Sequence, residues 1–516
     1  MDDDRRSNAE GIAGRKQRLS DMQHRITASL LYNLVLCPHR VERDMFSDPI
    51  EKDPPNAFVE LLWERGSAFE SSVVEALRPE PLNLRAGNDE ARVRATLTAM
   101  REGVPLIIGG RLESDDLLGE PDLLRREGDR YIAGDIKSGR GLEGGDEGDG
   151  GRLKLHYAVQ LGLYTDLLER LGWSVARRAF VWDVESREVS YDFELQQSPK
   201  TPGTWWDAYQ SHLELARGIA NGVEKTTPAL CGDCKMCHWM SACSRKAEEV
   251  GDLSLIPEVG RSRRDRLGRR FPNIRAFAAA DLTAIAAAES EVLKGIGVGQ
   301  ALRWQARARL QLDPAAHPYS VTELELPFGE TILYFDVETD PMLDFCYLHG
   351  FWVVDVAGKR FVEFHAADAT RAEERSAFAS AVDFVRSLPT APIVHYAPYE
   401  RVTWRGLGER YPDVATADEA QALLSTPRAF DLYHGAIRPH TIWPTRDYSI
   451  KSVAKHLGFS WRDRHPSGAA SIEWFQAWLK SGDPAELQRI LDYNEDDCRA
   501  MEVVLDALRK LPVKTH

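Results

Sequence analysis

Asp122, Asp135 and Lys137 can do chemistry together. In GEPDLLRREGDRYIAGDIKSG (Gly119–Gly139) the first stands in one apolar run and the other two in the next. Side chains alternate along a strand, so Asp135 and Lys137 share a face while Ile136 turns away. Two converging carboxylates and an ammonium suit phosphodiester hydrolysis: the acids hold Mg²⁺ or Mn²⁺, and the lysine positions or deprotonates the attacking water. A second pair, Asp336 and Glu338, ends the apolar strand TILYFDVETDP (Thr331–Pro341), where carboxylates are poorly solvated unless a metal is present. PIVHYAPYERVTW then leads to Tyr399 and Glu400, and ILDYNEDDCRAMEVVLDAL puts Tyr493 and Asp497 one helical turn apart. A third cluster, CGDCKMCHWMSAC, holds Cys231, Cys234, Cys237 and Cys243, four of the chain's seven cysteines.

The elements that position these groups fall into several domains, because 516 residues exceed what one hydrophobic core serves. Residues 1–20 are polar and read as a disordered N-terminus; they lack the apolar stretch of a secretory signal. No run approaches the ~18 apolar residues that span a bilayer. The protein is therefore expected to be cytoplasmic with reduced thiols, which makes the cysteines a metal site rather than disulfides. Zinc on the four local cysteines fits their spacing. Helices and strands alternate from residue 21 to 250, interrupted by a glycine-rich acidic stretch (Gly139–Arg152) that reads as a disordered loop. Residues 251–310 hold eleven Lys or Arg against six Asp or Glu, a local +5 in a chain of net charge -15. The overall charge excludes a nucleic-acid coat over the whole surface but permits this patch. PAAHP (Pro314–Pro318) reads as a linker before a second α/β domain over residues 325–512. There is no fixed-period repeat and no Gly-x-x-x-x-Gly-Lys-[Ser/Thr] phosphate loop.

Pro121-Asp122 followed by Asp135-Ile136-Lys137 resembles the PD-(D/E)XK signature. In LLWERGSAFESSVVEAL, Glu70 stands on a helix where the RecB-like branch places another metal-binding acid, with Phe69 where relatives often have histidine. Gln160 and Tyr164 share a helix face in YAVQLGLYTDLLERLG and resemble that branch's Gln-x-x-x-Tyr motif, which lies against the active site and the DNA strand. The resemblance implies a restriction-endonuclease-like fold over residues 21–250. It also bears on the cysteines. Several RecB-like nucleases carry a 4Fe-4S cluster, held by one cysteine before the first helix and by C-x₂-C-x₅-C at the end. Cys37, Cys234, Cys237 and Cys243 match that pattern and leave Cys231 spare, so the resemblance implies iron–sulfur with structural zinc as the alternative. Cys346 and Cys498 stand alone and read as buried or incidental.

The C-terminal set resembles the DEDD exonucleases of RNase H-like fold, in the tyrosine subclass and closest to the YprB-type 3'-5' enzymes. That implies two metals ~4 Å apart on Asp336, Glu338, Glu400 and Asp497, a water oriented by Tyr493, and accessory places for Asp431, Ser449 and Lys451. The family normally has Asp, often after Asn, where this chain has Glu400 after His395. Between the two domains, LIPEVGRSRRDRL and VLKGIGVGQALRW resemble paired helix–hairpin–helix motifs over residues 251–312. Their turn N–H groups, with Arg261, Arg263, Arg264 and Lys294, would meet phosphate. The expected protein is an α/β multidomain, metal-dependent DNA nuclease with two active sites, acting on single-stranded or unwound ends in repair or processing. Without an ATP-binding loop, unwinding falls to a partner helicase. An exoribonuclease, or a nucleic-acid-binding scaffold with decayed sites, remains open on the same residues.

Overall fold

Six strands of the first sheet lie side by side in chain order: β1 (Leu82–Asn83), β2 (Leu106–Ile108), β3 (Leu123–Glu127), β4 (Arg130–Ile136), β5 (Arg178–Trp182) and β6 (Glu188–Asp192). These come from a computed structural model that describes residues 25–55, 57–144, 151–199, 201–288 and 291–514. The β3–β4 hairpin closes through a two-residue turn in which Gly128 takes φ +65°, a left-handed backbone that glycine adopts without strain. Strand β5 runs parallel to β4, and the remaining neighbours of β3 and β4 are antiparallel. Helix α1 (Ala28–Leu36) is capped by the Thr27 side chain, which accepts from the Leu30 N–H. Helix α2 (Ala57–Ala76) covers one sheet face through Phe69 and Val73, over Leu106, Leu123, Ile136 and Phe180. Helix α3 (Leu155–Arg170) lies on the other face and is buried all round from Tyr157 to Leu168, so it forms the centre of this unit rather than its surface.

The glycine-rich stretch departs from expectation at its flanks. Leu142–Glu143 pairs antiparallel with Arg152–Leu153, so these ends form a short ladder instead of a disordered loop. Residues 145–150, like the N-terminal 1–20, lie outside the described residues.

The chain forms two compact units. The first runs to Pro228 and includes Gly232–Ala242; the second takes Ala229–Cys231 and everything from Cys243. The second unit has a five-stranded sheet of β7 (Ile332–Asp340), β8 (Phe345–Asp355), β9 (Gly358–His365), β10 (Ile393–His395) and β11 (Ala429–Asp431), in the order β9-β8-β7-β10-β11. The first three are antiparallel, and β10 and β11 add in parallel. Each face carries its own core. One includes Phe335, Trp404 and Val382 of helix α6 (Arg371–Ser387); the other includes Tyr334, Trp443, Val504 and Phe475 of helix α9 (Gly468–Ser481).

The basic segment belongs to this second unit. It supplies helices α4 (Arg261–Gly268) and α5 (Val298–Leu312) around a small core of Leu267, Phe277 and Trp304. Arg307 on α5 is fully buried, stacked 4.5 Å from the Tyr448 ring and 2.5 Å from the Glu258 carboxylate, which also binds Arg438 at 2.6 Å. Gln311 adds a hydrogen bond to the Thr445 carbonyl at 2.9 Å. The segment is thus keyed to the α/β sheet by buried charge, which favours one arrangement because a mismatched charge would stay unpaired. Its motifs differ from the helix–hairpin–helix expectation: the first arm of each is a three-residue 3-10 turn, Leu253–Leu255 and Glu291–Leu293. In the first, the Asp252 side chain accepts from Ser254 N–H, and Pro257 steers Ile256 away from helical backbone. Among the described residues no helix is long and apolar enough to cross a membrane.

Candidate active sites

The first site is built where β3 begins and β4 ends. Ile136 N–H donates to Asp122 Oδ2 at 2.8 Å, and Asp122 N–H reaches Asp135 Oδ1 at 3.4 Å, so the backbone itself brings the two acids together. Lys137 Nζ lies 2.9 Å from Asp135 Oδ2. Burial, and then the neighbouring charge of Asp135, push the Asp122 carboxyl up to about 8. Burial works against the Lys137 ammonium, but Asp135 and Asp122 more than offset it and hold its pKa above the ordinary value. Lys137 is therefore a cation here, suited to orienting a water or phosphate rather than to taking a proton. Glu70 contributes to raising Asp122 but is itself ion-paired with Arg85. Gln160 and Tyr164 are buried on α3 beneath the site. Gln160 donates weakly to Tyr164 at 3.5 Å, and the Tyr164 hydroxyl donates to the Glu120 carbonyl at 3.3 Å. Both lie within the core, where they support the Asp122 loop.

The cysteine segment returns to the start of the same unit. His238 and Trp239 bond Asp44 Oδ1 at 2.7 and 3.1 Å, and Asp53 takes the His238 carbonyl with its N–H and the Ser241 N–H with its carboxylate. Asp44 lies just beyond Cys37, which is close enough to Cys237 to help raise its thiol pKa, after burial. Cys37, Cys234 and Cys237 belong to this unit, and Cys231 and Cys243 to the other. None of the seven forms a disulfide. Among the described residues the cysteines form no group of three close ligands, and the expected 4Fe-4S cluster gains no support from the geometry.

The second site is tighter. Asp336 and Glu338, on one face of β7, meet Asp497 from helix α10 (Pro484–Leu508), and oxygens of all three lie within 4.8 Å of one another. Three hard oxygen donors converging on one point fit Mg²⁺ or Mn²⁺. Their charges also conflict. Burial, followed by the charge of Asp497, raises Glu338 to about 8, and burial with Glu338 and Asp497 holds Asp336 well above the usual carboxylate range. A bound cation would relieve that repulsion. Lys451, on helix α8 (Ile450–His456), donates to Tyr493 at 2.7 Å and sits 3.5 Å from Asp497 Oδ2. Burial, and then Asp497, push the Tyr493 phenol well above its ordinary value, so it stays neutral.

Glu400 stands apart from the trio. It opens helix α7 (Tyr399–Arg410) and turns to His395, whose Nδ1 is 3.6 Å from Oε2, although its charge still reaches Asp336. The structure thus gathers three of the four expected acids and ties the fourth to a histidine. Asp431 accepts from the N–H groups of Ala397, Tyr433 and His434, fixing the turn before Glu400, and Ser449 caps α8. Of the basic residues proposed for phosphate, Arg264 is drawn inward to Asp252 at 2.6 Å, and Arg263 lies over Trp304 and bonds the Glu258 carbonyl. Lys294 is exposed and pairs with Glu291, while Arg261 begins α4.

Sequence reasoning missed three partners of the trio. Trp461 donates from Nε1 to Asp497 at 2.7 Å, Ser471 hydrogen-bonds Glu338, and Asn494 donates to Asp336 at 2.7 Å. Asn494 could have been found, since it stands three residues before Asp497 on the same helix face; Trp461 left no signal in spacing.

Comparison with family models gives two matches. Residues 39–244 match the PD-(D/E)XK nuclease superfamily and residues 333–509 match the RNase_H superfamily. Comparison with curated proteins gives no match.

Proposed function

We propose that this chain, which carries a PD-(D/E)XK nuclease domain over residues 39–244 and an RNase_H superfamily domain over residues 333–509, is a metal-dependent nuclease that shortens DNA from single-stranded or unwound ends during repair or processing. The nuclease assignment rests on both domains. The observation that carries the reading is the convergence of Asp336, Glu338 and Asp497 within 4.8 Å, where one half-buried and two buried acids repel each other unless a cation joins them. Mg²⁺ or Mn²⁺ held there would supply electrophilic stabilisation of the charge that develops on the scissile phosphate. Tyr493, fixed by Lys451, is a neutral hydroxyl placed to orient a water, and Trp461 holds Asp497 in its rotamer. At the other site, Asp122 and Asp135 would take the cation while Lys137 holds phosphate or water.

Asp135 at the first site and Glu338 and Asp497 at the second are buried, so each site suits a free strand led in by its backbone more than an intact duplex. Arg261 and Lys294 offer the connector's phosphate contacts, and a helicase partner would deliver the unwound strand. A structural iron–sulfur cluster on Cys37, Cys234, Cys237 and Cys243 enters this reading through the spacing of those cysteines alone. The test is degradation of plasmid, end-labelled single-stranded DNA and RNA with Mg²⁺ or Mn²⁺. Loss of single-stranded DNA from its ends supports the proposal. Preference for RNA would make the protein an exoribonuclease, and binding without cleavage would make it a scaffold.

A further inference from the structure

We infer that Asn494 and Gly350 form a positioning pair that sets the cation affinity of the Asp336/Glu338/Asp497 site; the inference rests on the reading of that trio as a metal site. Asp336 faces Gly350 directly across the β7–β8 ladder. Asn494 arrives from α10, is fully buried, and donates from Nδ2 to Asp336 Oδ2 at 2.7 Å and to Glu338 Oε1 at 3.5 Å. One amide thus spans both acids of the strand. Its other end is anomalous: Asn494 Oδ1 is buried with no hydrogen-bond partner and lies so close to Gly350 that a Cβ there would overlap it.

These facts have one explanation. A buried, unbonded carbonyl is unfavourable, so the amide is held where it is by the carboxylates at its other end. The opposite orientation would turn the oxygen toward two acids, so charge decides which end faces them. The position exists only because residue 350 has no side chain. A neutral donor also suits the task better than the alternatives. A lysine would compete with the cation, and an aspartate would add a fourth repelling charge. The amide fixes two carboxylate rotamers while leaving their remaining lone pairs for a metal, and groups that orient metal ligands in this way are typically worth 10–100-fold in affinity.

The test is Mn²⁺ binding by calorimetry to the full chain, in a D135A/K137A background so that only this site counts, with melting in EDTA as a control. N494A should weaken Mn²⁺ binding about 10–100-fold, with cleavage largely recovered at saturating Mn²⁺. G350A should do the same by displacing the amide. G350A/N494A should be no weaker than N494A alone, because truncation at 494 removes the two atoms the new methyl meets first and leaves only the edge of the Phe361 ring, at 3.0 Å, to give way. An N494A affinity within about twofold of the parent would overturn the inference, as would losses that multiply in the double variant or a lowered melting temperature with affinity unchanged. Should G350A fail to fold, N494A decides alone. A parent protein that binds no Mn²⁺ would instead remove the metal-site reading itself, and the pair with it.

Discussion

Replacing Glu338 with glutamine keeps the shape of the second site and removes one of its conflicting charges. In the metal-free protein Glu338 is raised from its ordinary 4.5 to about 8. The folded state therefore holds this proton more tightly than the unfolded chain does. Its contribution is fully present below about pH 4.5, is lost as pH rises, and is gone above about pH 8. The full displacement corresponds to at most about 5 kcal/mol. Water entry and relaxation of the coupled acids reduce this, leaving on the order of 2 kcal/mol, or roughly 4–8 °C in melting temperature for a domain of this size. E338Q should accordingly melt close to the parent in EDTA at pH 5 and several degrees above it at pH 9. Taking the difference between the two proteins at each pH cancels the groups they share, except Asp336, which the Glu338 charge helps to raise and which therefore changes the difference in the same direction. Added Mg²⁺ or Mn²⁺ should raise the parent's melting temperature more at pH 9 than at pH 6 and raise that of E338Q little. A difference between the two proteins that stays flat from pH 5 to pH 9 would refute the idea that these acids are electrostatically frustrated without metal.

Arg307→Ala should cost about 1.5–3 kcal/mol, read as a lowered denaturation midpoint, because it removes a fully buried side chain and leaves the half-buried Glu258 with Arg438 alone; Arg307→Ala with Glu258→Ala should recover part of that loss. Cys37→Ser should remove iron, and the absorbance near 400 nm that thiolate–iron bonds give, from protein purified without oxygen, whereas Cys231→Ser should not; a colourless parent containing zinc would reverse the assignment. Replacing Arg261 and Lys294 with alanine should weaken single-stranded DNA binding and flatten its salt dependence, while Arg264→Ala should lower stability through Asp252; unchanged binding in the first variant would make the connector a spacer.

Much of the site was legible because its chemistry depends on period. Asp135-x-Lys137 and Asp336-x-Glu338 fall on single strand faces, and Tyr493 and Asp497 are one helical turn apart, so alternation and helix pitch alone place them. The β3–β4 hairpin was equally visible in its glycine-containing turn. What stayed hidden depends on contacts distant in sequence. The contact of Glu400 with His395 and the pairing of Glu70 with Arg85, fifteen residues on, were not visible in spacing. Gln160 and Tyr164 have the spacing of the Gln-x-x-x-Tyr motif, but that α3 is buried all round stayed hidden, because one-dimensional periodicity cannot tell which side of a helix meets a sheet when every side does. The connector's arginines read as an exposed basic face because charge counting ignores pairing; Arg264 and Arg307 are instead internal fasteners.

The central claim is that two separate carboxylate sites cleave nucleic acid, and mutating them singly and together tests it most directly. End-labelled single-stranded DNA is incubated with Mn²⁺ and the parent protein, D135A/K137A, D336A/E338A, or the variant carrying all four substitutions. The account predicts partial activity in each double variant, with the larger share surviving in D135A/K137A, where the Asp336/Glu338/Asp497 trio is intact, and none in the combined variant. A combined variant that is folded, binds DNA and still cleaves it would contradict the account.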